Sequence, residues 1–265
     1  MYHIYTDLAI ESKELYGGKD IEVEGVSVTT ETMNNYSITR VKVSDEKGAQ
    51  SIRKPIGNYI TIDVPDLNNS DEDLKDEISK VLGKEIKNFG LNNSHSKILI
   101  IGLGNWNITP DALGPKVVDR VLVTRQFFVN YQKDFDEDMA NVAAMAPGVM
   151  GITGIESFDI IKGVVDKIKP DLLIAVDALA SRKMDRVSTT IQLSDTGISP
   201  GGGVGNKRMT LNISTLGIPV LAIGIPTVVN AATIVNDTLD LIISSMKEEA
   251  EMGKEFYNIL EQLSG

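Results

Sequence analysis

The sequence predicts an α/β fold: a mainly parallel sheet with helices on both faces, carrying a β-rich extension near the N-terminus. Three observations predict it. The first third alternates apolar and polar residues at period two, and from Ser70 apolar residues recur at helical spacing. From residue 98 onward, short apolar runs alternate with helical segments. Period two marks half-buried strands, and strands separated by helices mark parallel crossovers with both sheet faces covered.

Taken in order, Ile21–Thr30 and Tyr36–Val43 alternate and predict an antiparallel pair, with Asn34-Asn35 as the turn. A third strand follows at Tyr59–Val64. Leu74, Ile78, Val81, Leu82, Ile86 and Phe89 then share one helical face, with Ser70 and Asp73 as N-terminal caps and Gly90 as the stop. The apolar run 98–103 is a strand, and a helix is predicted from Pro115 to Val129. A further helix over Phe158–Ile168, closed by Lys169-Pro170, leads into the strand 171–177. Val187–Leu193 reads as an edge strand and Pro219–Ile225 as a buried one. From Ala231 to Leu263 the chain is amphipathic, as one long helix or two with a break at Gly253. No composition shift, repeat or flexible linker divides the chain. Residues 1–265 are therefore expected to form one domain, with the β-rich extension at about residues 20–55.

A chain of 265 residues can bury a full core, and 42% hydrophobic with 24% charged residues is ordinary for a globular protein. The absence of cysteine removes disulfides, thiol nucleophiles and cysteine-based zinc sites. The two histidines, His3 and His95, lie in no motif, which argues against a Ser-His-Asp triad or a histidine zinc site. A net charge of −11 repels phosphate backbones, so no direct nucleic-acid binding is expected. No apolar run approaches a membrane span, and Met1–Asp7 lacks the features of a signal peptide. The expectation is a soluble intracellular protein without a membrane partner.

Two aspartates carry the chemistry. Asp111 follows the strand 98–103 through a stretch rich in Gly and Asn, and Asp177 directly follows the apolar residues 172–176. Ligands of open α/β sheets bind outside the carboxyl ends of the strands. Two carboxylates placed there raise each other's pKa, share one proton and activate water. On the residues alone a turn or helix cap is the stronger reading for each of them. The loop Pro200–Arg208 suits an anion, with its glycines, Lys207 and Arg208, yet it lacks Walker spacing and a strand–loop–helix context. A cleft wall, a subunit contact and a plain surface turn stay open for it. Arg182 is placed to steady an acidic substrate side chain or a structural carboxylate. Trp106, the only tryptophan, reads as a cleft residue or, more commonly, as core packing.

Several blocks go further. The segments 102–115 (Gly-Leu-Gly-Asn-Trp-Asn, then Thr-Pro-Asp-Ala-Leu-Gly-Pro after Ile108), 146–156 (Ala-Pro-Gly-Val-Met-Gly-Ile-Thr-Gly-Ile-Glu), 176–182 (Val-Asp-Ala-Leu-Ala-Ser-Arg) and 203–208 (Gly-Val-Gly-Asn-Lys-Arg) occur in this order. Together they strongly resemble the germination protease family of spore-forming bacteria, from Thr6 to about the last helix. The resemblance implies an atypical aspartic endopeptidase, without cofactor or metal, whose fold is similar to that of hydrogenase maturation endopeptidases. Asp111 and Asp177 match the family's two essential aspartates. One would be ionised and deprotonate a water; the other, protonated, would hydrogen-bond the scissile carbonyl and help protonate the leaving amine. Asn105, Arg182, Gly203, Asn206, Lys207 and Arg208 are the implied substrate-binding candidates.

The implied substrates are small acid-soluble spore proteins, cut at Thr-Glu-(Phe/Ile)-Ala sites in the cytoplasm of the spore core. Thr6-Asp7-Leu8-Ala9 resembles such a site, so residues 1–7 would form a prosegment removed by self-cleavage between Asp7 and Leu8. A homotetramer is also implied. The sequence departs from the family pattern at Tyr5 (usually Arg), Gly202 (usually Ser) and Asn230 (usually Asp), and it stops at Gly265 where relatives continue. Two alternatives stand beside this reading: a metal-dependent peptidase of the hydrogenase-maturation type, and an inactive binding or assembly protein on the same fold.

Overall fold

The computed structural model describes residues 6–18, 21–89, 96–130, 139–200 and 209–229, and part of 231–253 (231, 233–235, 238–239, 242–243, 245–247, 249–250 and 253). Its centre is one eight-stranded sheet formed by β1 (Val26–Thr32), β2 (Ser37–Val43), β3 (Gly57–Asp63), β4 (Lys97–Gly102), β5 (Asn141–Met145), β6 (Leu172–Ser181), β7 (Thr190–Ser194) and β8 (Val220–Val229). The strand order is β1-β2-β3-β7-β8-β6-β4-β5. β8, β6, β4 and β5 run parallel, whereas β1, β2, β3, β7 and β8 pair antiparallel in succession. The sheet is therefore mixed rather than mainly parallel.

The difference arises at β7. Read as an edge strand, it instead lies between β3 and β8, antiparallel to both, and all five of its residues are buried. It splices the N-terminal hairpin strands onto the parallel strands, so β1–β3 continue the same sheet. β6 and β8 are also longer than their apolar runs suggest, at ten residues each. Small and hydroxyl residues past Val176 stay in strand conformation because the neighbouring strand supplies their backbone partners.

Helices cover both faces. On one face Ile98, Leu172, Ile174 and Val176 pack with Ile38, Ile60 and Ile62 under helix α3 (Glu72–Asn88) and helix α4 (Leu113–Arg120). The cap of α3 falls between the two expected ones: Asp71 accepts a hydrogen bond from Leu74 N, and the predicted stop, Gly90, lies outside the described residues. The helix expected over 115–129 is two, α4 and α5 (Arg125–Asn130), broken where Val121 turns extended. Thr124 fixes the break: its N–H and hydroxyl reach Val142 O and Ala140 O in and beside β5. β5 itself was not expected, since Asn-Val-Ala-Ala-Met carries too little apolar bulk to stand out.

The opposite face holds two separate clusters. Leu99, Ile101, Leu173 and Ala175 pack under helix α7 (Ser157–Ile168), while Val41, Val43 and Tyr59 pack with Ala9 of a short helix (Ala9–Ser12) and Ile52 of another (Glu46–Ile52). Between them this face turns polar, with buried Thr61, Asp177, Gln192 and Ser194. Buried polar groups cost free energy unless partnered, so a polar gap in a hydrophobic face marks a place kept for something else. Beyond β8 the described residues of 231–253 are helical, Gly253 included, and the rest of the predicted C-terminal helix lies outside them.

Candidate active site

The polar gap opens where β4 ends. β4 sends the chain to β5 on one side, and β6 pairs on its other side, so the carboxyl ends of β4 and β6 flank a topological switch point. Gly102 is the last β4 residue paired with β6, opposite Val176, and Leu103 N still donates to Val176 O at 2.8 Å. Asp177 comes next. It stands inside β6 rather than past its end, and the rim is made by β4 stopping first.

Glycines bring Asp111 to the same place. A Cβ on Gly102 would collide with the Gly114 carbonyl, and one on Gly114 with backbone atoms of Leu103 and Val176. Their absence lets the start of α4 press directly against β4 and β6. Gly104, at φ 111°, folds the loop back so closely that a Cβ would strike the Asp111 carbonyl. Asn105 N then donates to both the main-chain oxygen and Oδ2 of Asp111, at 3.0 and 2.8 Å. From the far side Thr227 donates its hydroxyl to Pro110 O at 2.6 Å. Thr227 occupies the bulge of β8, between residues paired with Leu179 and Ala180, and bulges re-aim side chains in this way.

The two carboxylates differ in surroundings. Asp177 is 7% exposed, and Ala178 N donates to its Oδ1 at 2.8 Å. Burial pushes the Asp177 carboxyl up to about 8 despite that hydrogen bond, with Asp111 and Asp7 adding like-charge repulsion. Asp111 is the more exposed of the two. A carboxyl that keeps its proton near neutrality beside a more exposed one is the arrangement a proton-sharing pair requires.

The cleft, about 660 Å³, also contains the chain's own N-terminal segment. Asp7 clasps Ala180 with main chain and side chain: Asp7 N donates to Ala180 O at 2.9 Å, and Ala180 N donates to Asp7 Oδ2 at 2.8 Å. Lys54 Nζ donates to the carbonyls of Thr6 and Asp7, at 3.1 and 2.8 Å. Gln192 accepts from Ala9 N at 2.7 Å and donates to Asp7 O at 3.1 Å. Glu11, fully buried, accepts from the Thr6 hydroxyl and from the N–H groups of Arg182 and Lys183. Leu8 and Ala9 are fully buried as well.

Sequence reading and structure agree unevenly here. Asp111, Asp177, Asp7 and Asn105 share this cleft. Arg182 does not line it; its N–H group serves Glu11 instead. Trp106 is 53% exposed and also outside the cleft lining, which sets aside both core packing and cleft lining. Gly203, Asn206, Lys207, Arg208 and Asn230, with His3 and His95, lie outside the described residues. Lys54, Gln192, Glu11 and Thr227 were missed. Neither Lys54 nor Gln192 carried a signal: Gln192 takes a polar place in the alternating strand Thr-Ile-Gln-Leu-Ser, and Lys54 lies in a loop. Among the described residues no group of three or more His, Asp or Glu side chains converges as metal ligands would.

Comparison with known proteins gives the site its context. Residues 5–263 match the family model described as germination protease. The chain is 49% identical over 261 residues to a germination protease of Caldanaerobacter subterraneus, covering 98% of this chain and 80% of that protein. It is 49% identical over 265 residues to one of Clostridium perfringens, covering 99% and 82%. A Bacillus cereus germination protease is 46% identical over 259 residues, covering 95% and 70%. With a family match spanning nearly its whole length, this chain belongs to the germination protease family of aspartic-type endopeptidases.

Proposed function

We propose that Asp111 and Asp177 are the proton-sharing pair of this endopeptidase, and that Asp7–Leu8 is the first bond it cuts. One observation carries the reading: Asp7 lines the cleft that contains both carboxylates, and hydrogen bonds to Ala180, Lys54 and Gln192 hold its main chain there. Asp177 keeps the shared proton, because burial raises its pKa. Asp111, with Asn105 N donating to it, is the ionised partner and takes a proton from the attacking water. Asp177 then protonates the leaving nitrogen of Leu8. The proton gained by Asp111 returns the pair to its starting state.

The prosegment is accordingly residues 1–7, attached to a single α/β domain similar to hydrogenase maturation endopeptidases. After its removal the vacated path beside Ala180 accepts a second chain. Small acid-soluble spore proteins are the proposed substrates, met in the spore core during germination. Weakly structured chains suit a cleft that holds a peptide by its main-chain groups, as Asp7 N and O are held. Among the described residues no helix is long and apolar enough to cross a membrane. A homotetramer is the proposed assembly, supported by exposed Leu239, Ile242, Ile243 and Met246 on the C-terminal helical residues.

A peptide containing Thr-Glu-Ile-Ala, incubated with protein lacking residues 1–7, tests the reading. Cleavage after Glu that withstands a chelator and is lost in Asp111→Asn and Asp177→Asn is expected. Chelator-sensitive cleavage would point to a metal-dependent peptidase, and binding without turnover to an inactive relative. Either result would overturn the proposal.

A further inference from the structure

We propose that Lys54 and Gln192 are catalytic residues which hold and polarise the scissile carbonyl oxygen, leaving Asp111 and Asp177 to move protons. This rests on the reading of Asp7–Leu8 as a substrate bond. The carbonyl of that bond, Asp7 O, receives two donors, Lys54 Nζ at 2.8 Å and Gln192 Nε2 at 3.1 Å. An oxyanion hole places its donors about 2.7–3.1 Å from where the oxyanion forms, and this pair already converges on the ground-state oxygen from which it would form.

The fold builds this arrangement from both halves of the sheet. Asp177 on β6 and Gln192 on β7 are each paired with Gly224 of β8, so the three stand in one row across three strands. Residues directly opposite on neighbouring strands face the same side, and two strand spacings separate the ends of the row by roughly 10 Å. Gly224 in the middle carries no side chain, and Leu179 packs over it. The row thus has a carboxyl at one end and an amide at the other, over a low apolar floor.

Gln192 has only one productive orientation. Ala9 N can only donate, so the oxygen of the Gln192 amide must face it, and Nε2 is thereby aimed at Asp7 O. One side chain therefore grips both sides of the bond to be cut. Lys54 is held from behind: its N–H donates to Ala49 O after the left-handed turn at Arg53, and Pro55 O accepts from the Tyr59 hydroxyl. Burial lowers the Lys54 pKa, and the charges of Asp7 and Glu11 offset part of that.

Water oxygen bonds to the Asp7 carbonyl carbon, one water proton passes to Asp111, and the carbonyl π pair moves onto Asp7 O, where Lys54 and Gln192 stabilise the negative charge. Collapse of the tetrahedral centre restores the carbonyl and breaks the C–N bond, whose electron pair stays on Leu8 N. That nitrogen takes the Asp177 proton. The products are a carboxyl on Asp7 and an amine on Leu8.

Lys54 also touches Thr6 O, so a mere tether of the prosegment has to be distinguished from a catalyst. Two measurements do so. In the full chain, Lys54→Met is expected to slow appearance of the Leu8 terminus about 100-fold, the usual loss for one oxyanion donor, with Lys54→Arg recovering part of it. In protein already lacking residues 1–7 there is nothing left to tether. There Lys54→Met and Gln192→Glu are expected to lower kcat for a Thr-Glu-Ile-Ala peptide about 100-fold, with KM changed far less. Gln192→Glu keeps the acceptor for Ala9 N and removes the donor, so it tests polarisation even if Lys54→Met fails to fold. Folded variants with near wild-type kcat would overturn the assignment, even if self-cleavage slowed. Wild-type cleavage abolished by Asp177→Asn but untouched by the Lys54 and Gln192 variants would sink only this inference. A wild type that leaves the peptide intact would sink the proposed function with it.

Discussion

The parallel strands β4, β5, β6 and β8 and the antiparallel strands β1, β2, β3 and β7 meet in one sheet, yet they bring opposite chemistry to the cleft. The parallel half supplies carboxyls, with Asp111 after β4 and Asp177 within β6. The antiparallel half supplies donors, with Lys54 before β3 and Gln192 on β7. Acids placed where crossover loops leave the sheet are poised for proton transfer, because burial there raises their pKa. Donors from a second set of strands are rigid, and a rigid donor is worth most where negative charge develops. On the proposed function the difference is a division of labour: a switch-point pair that moves protons stands beside a hairpin platform whose donors hold the main chain of Asp7.

The largest expected effect lies on the acid side. Asp111→Asn and Asp177→Asn should each fold yet lose about 10³-fold or more in peptide cleavage, since an amide cannot exchange the proton. Circular dichroism together with peptide kinetics checks both halves of that statement. If either folded variant retains near wild-type activity, the parallel half is not the acid–base half.

A structural lesion sharpens the same contrast. Gly114→Ala would drive a Cβ into Leu103 and Val176 backbone atoms, displacing α4 and the Asp111 turn. The cost should be about 3 kcal/mol. For a chain of this size that lowers the melting temperature by roughly 6–10 °C. An unchanged melting temperature would show that the close approach of α4 to β4 is not needed to seat Asp111.

On the substrate side, Thr6→Val removes the hydroxyl that donates to Glu11 and accepts from Leu8 N. Self-cleavage should slow about tenfold, the worth of one or two net hydrogen bonds. Timed mass spectra of the full chain measure this, and equal rates would mean that Glu11 serves Arg182, Lys183 and Arg186 and not the prosegment.

Titration gives a smaller and more diagnostic effect. The Asp177 carboxyl sits at about 8 in the folded chain against an ordinary 3.8. Between those values the folded chain holds a proton that the unfolded chain has released, so this group lowers stability as pH rises from about 4 to about 8. Asp177→Asn should flatten that decline and melt higher than wild type at pH 8, by a few degrees. Melting curves from pH 5 to pH 9 that run parallel in the two proteins would contradict it. Peptide cleavage should likewise fall above pH 8, as Asp177 loses its proton. The smallest effect is expected for Trp106→Ala, within about 0.5 kcal/mol in stability and without loss of kcat, because the ring is exposed and lies off the cleft.

The two halves were not equally legible in the sequence. Parallel strands are buried on both faces and announce themselves as apolar runs, so 98–103 and 171–177 stood out together with the aspartates that follow. The glycines at 102, 104 and 114 were visible too, though their purpose is close packing against β4 and β6. The antiparallel half gave its hairpin through alternation, but β7 was placed at an edge because five residues carry no trace of their neighbours. Lys54 and Gln192 are single residues 138 positions apart, joined only by the peptide between them. Periodicity cannot report such a pair, since it arises from strand order and register. The longer β6 was hidden for a related reason: its last residues are held by pairing with β8 and Asp7, not by their own apolar bulk.

The most direct measurement follows the N-terminus of the full chain over time by intact-mass spectrometry, in wild type, Asp111→Asn and Asp177→Asn side by side. The account expects wild type alone to release residues 1–7 and to gain a new terminus at Leu8. Release at equal rates in the aspartate variants, or a stable new terminus elsewhere, would contradict the claim that this pair cuts the bond held in its own cleft.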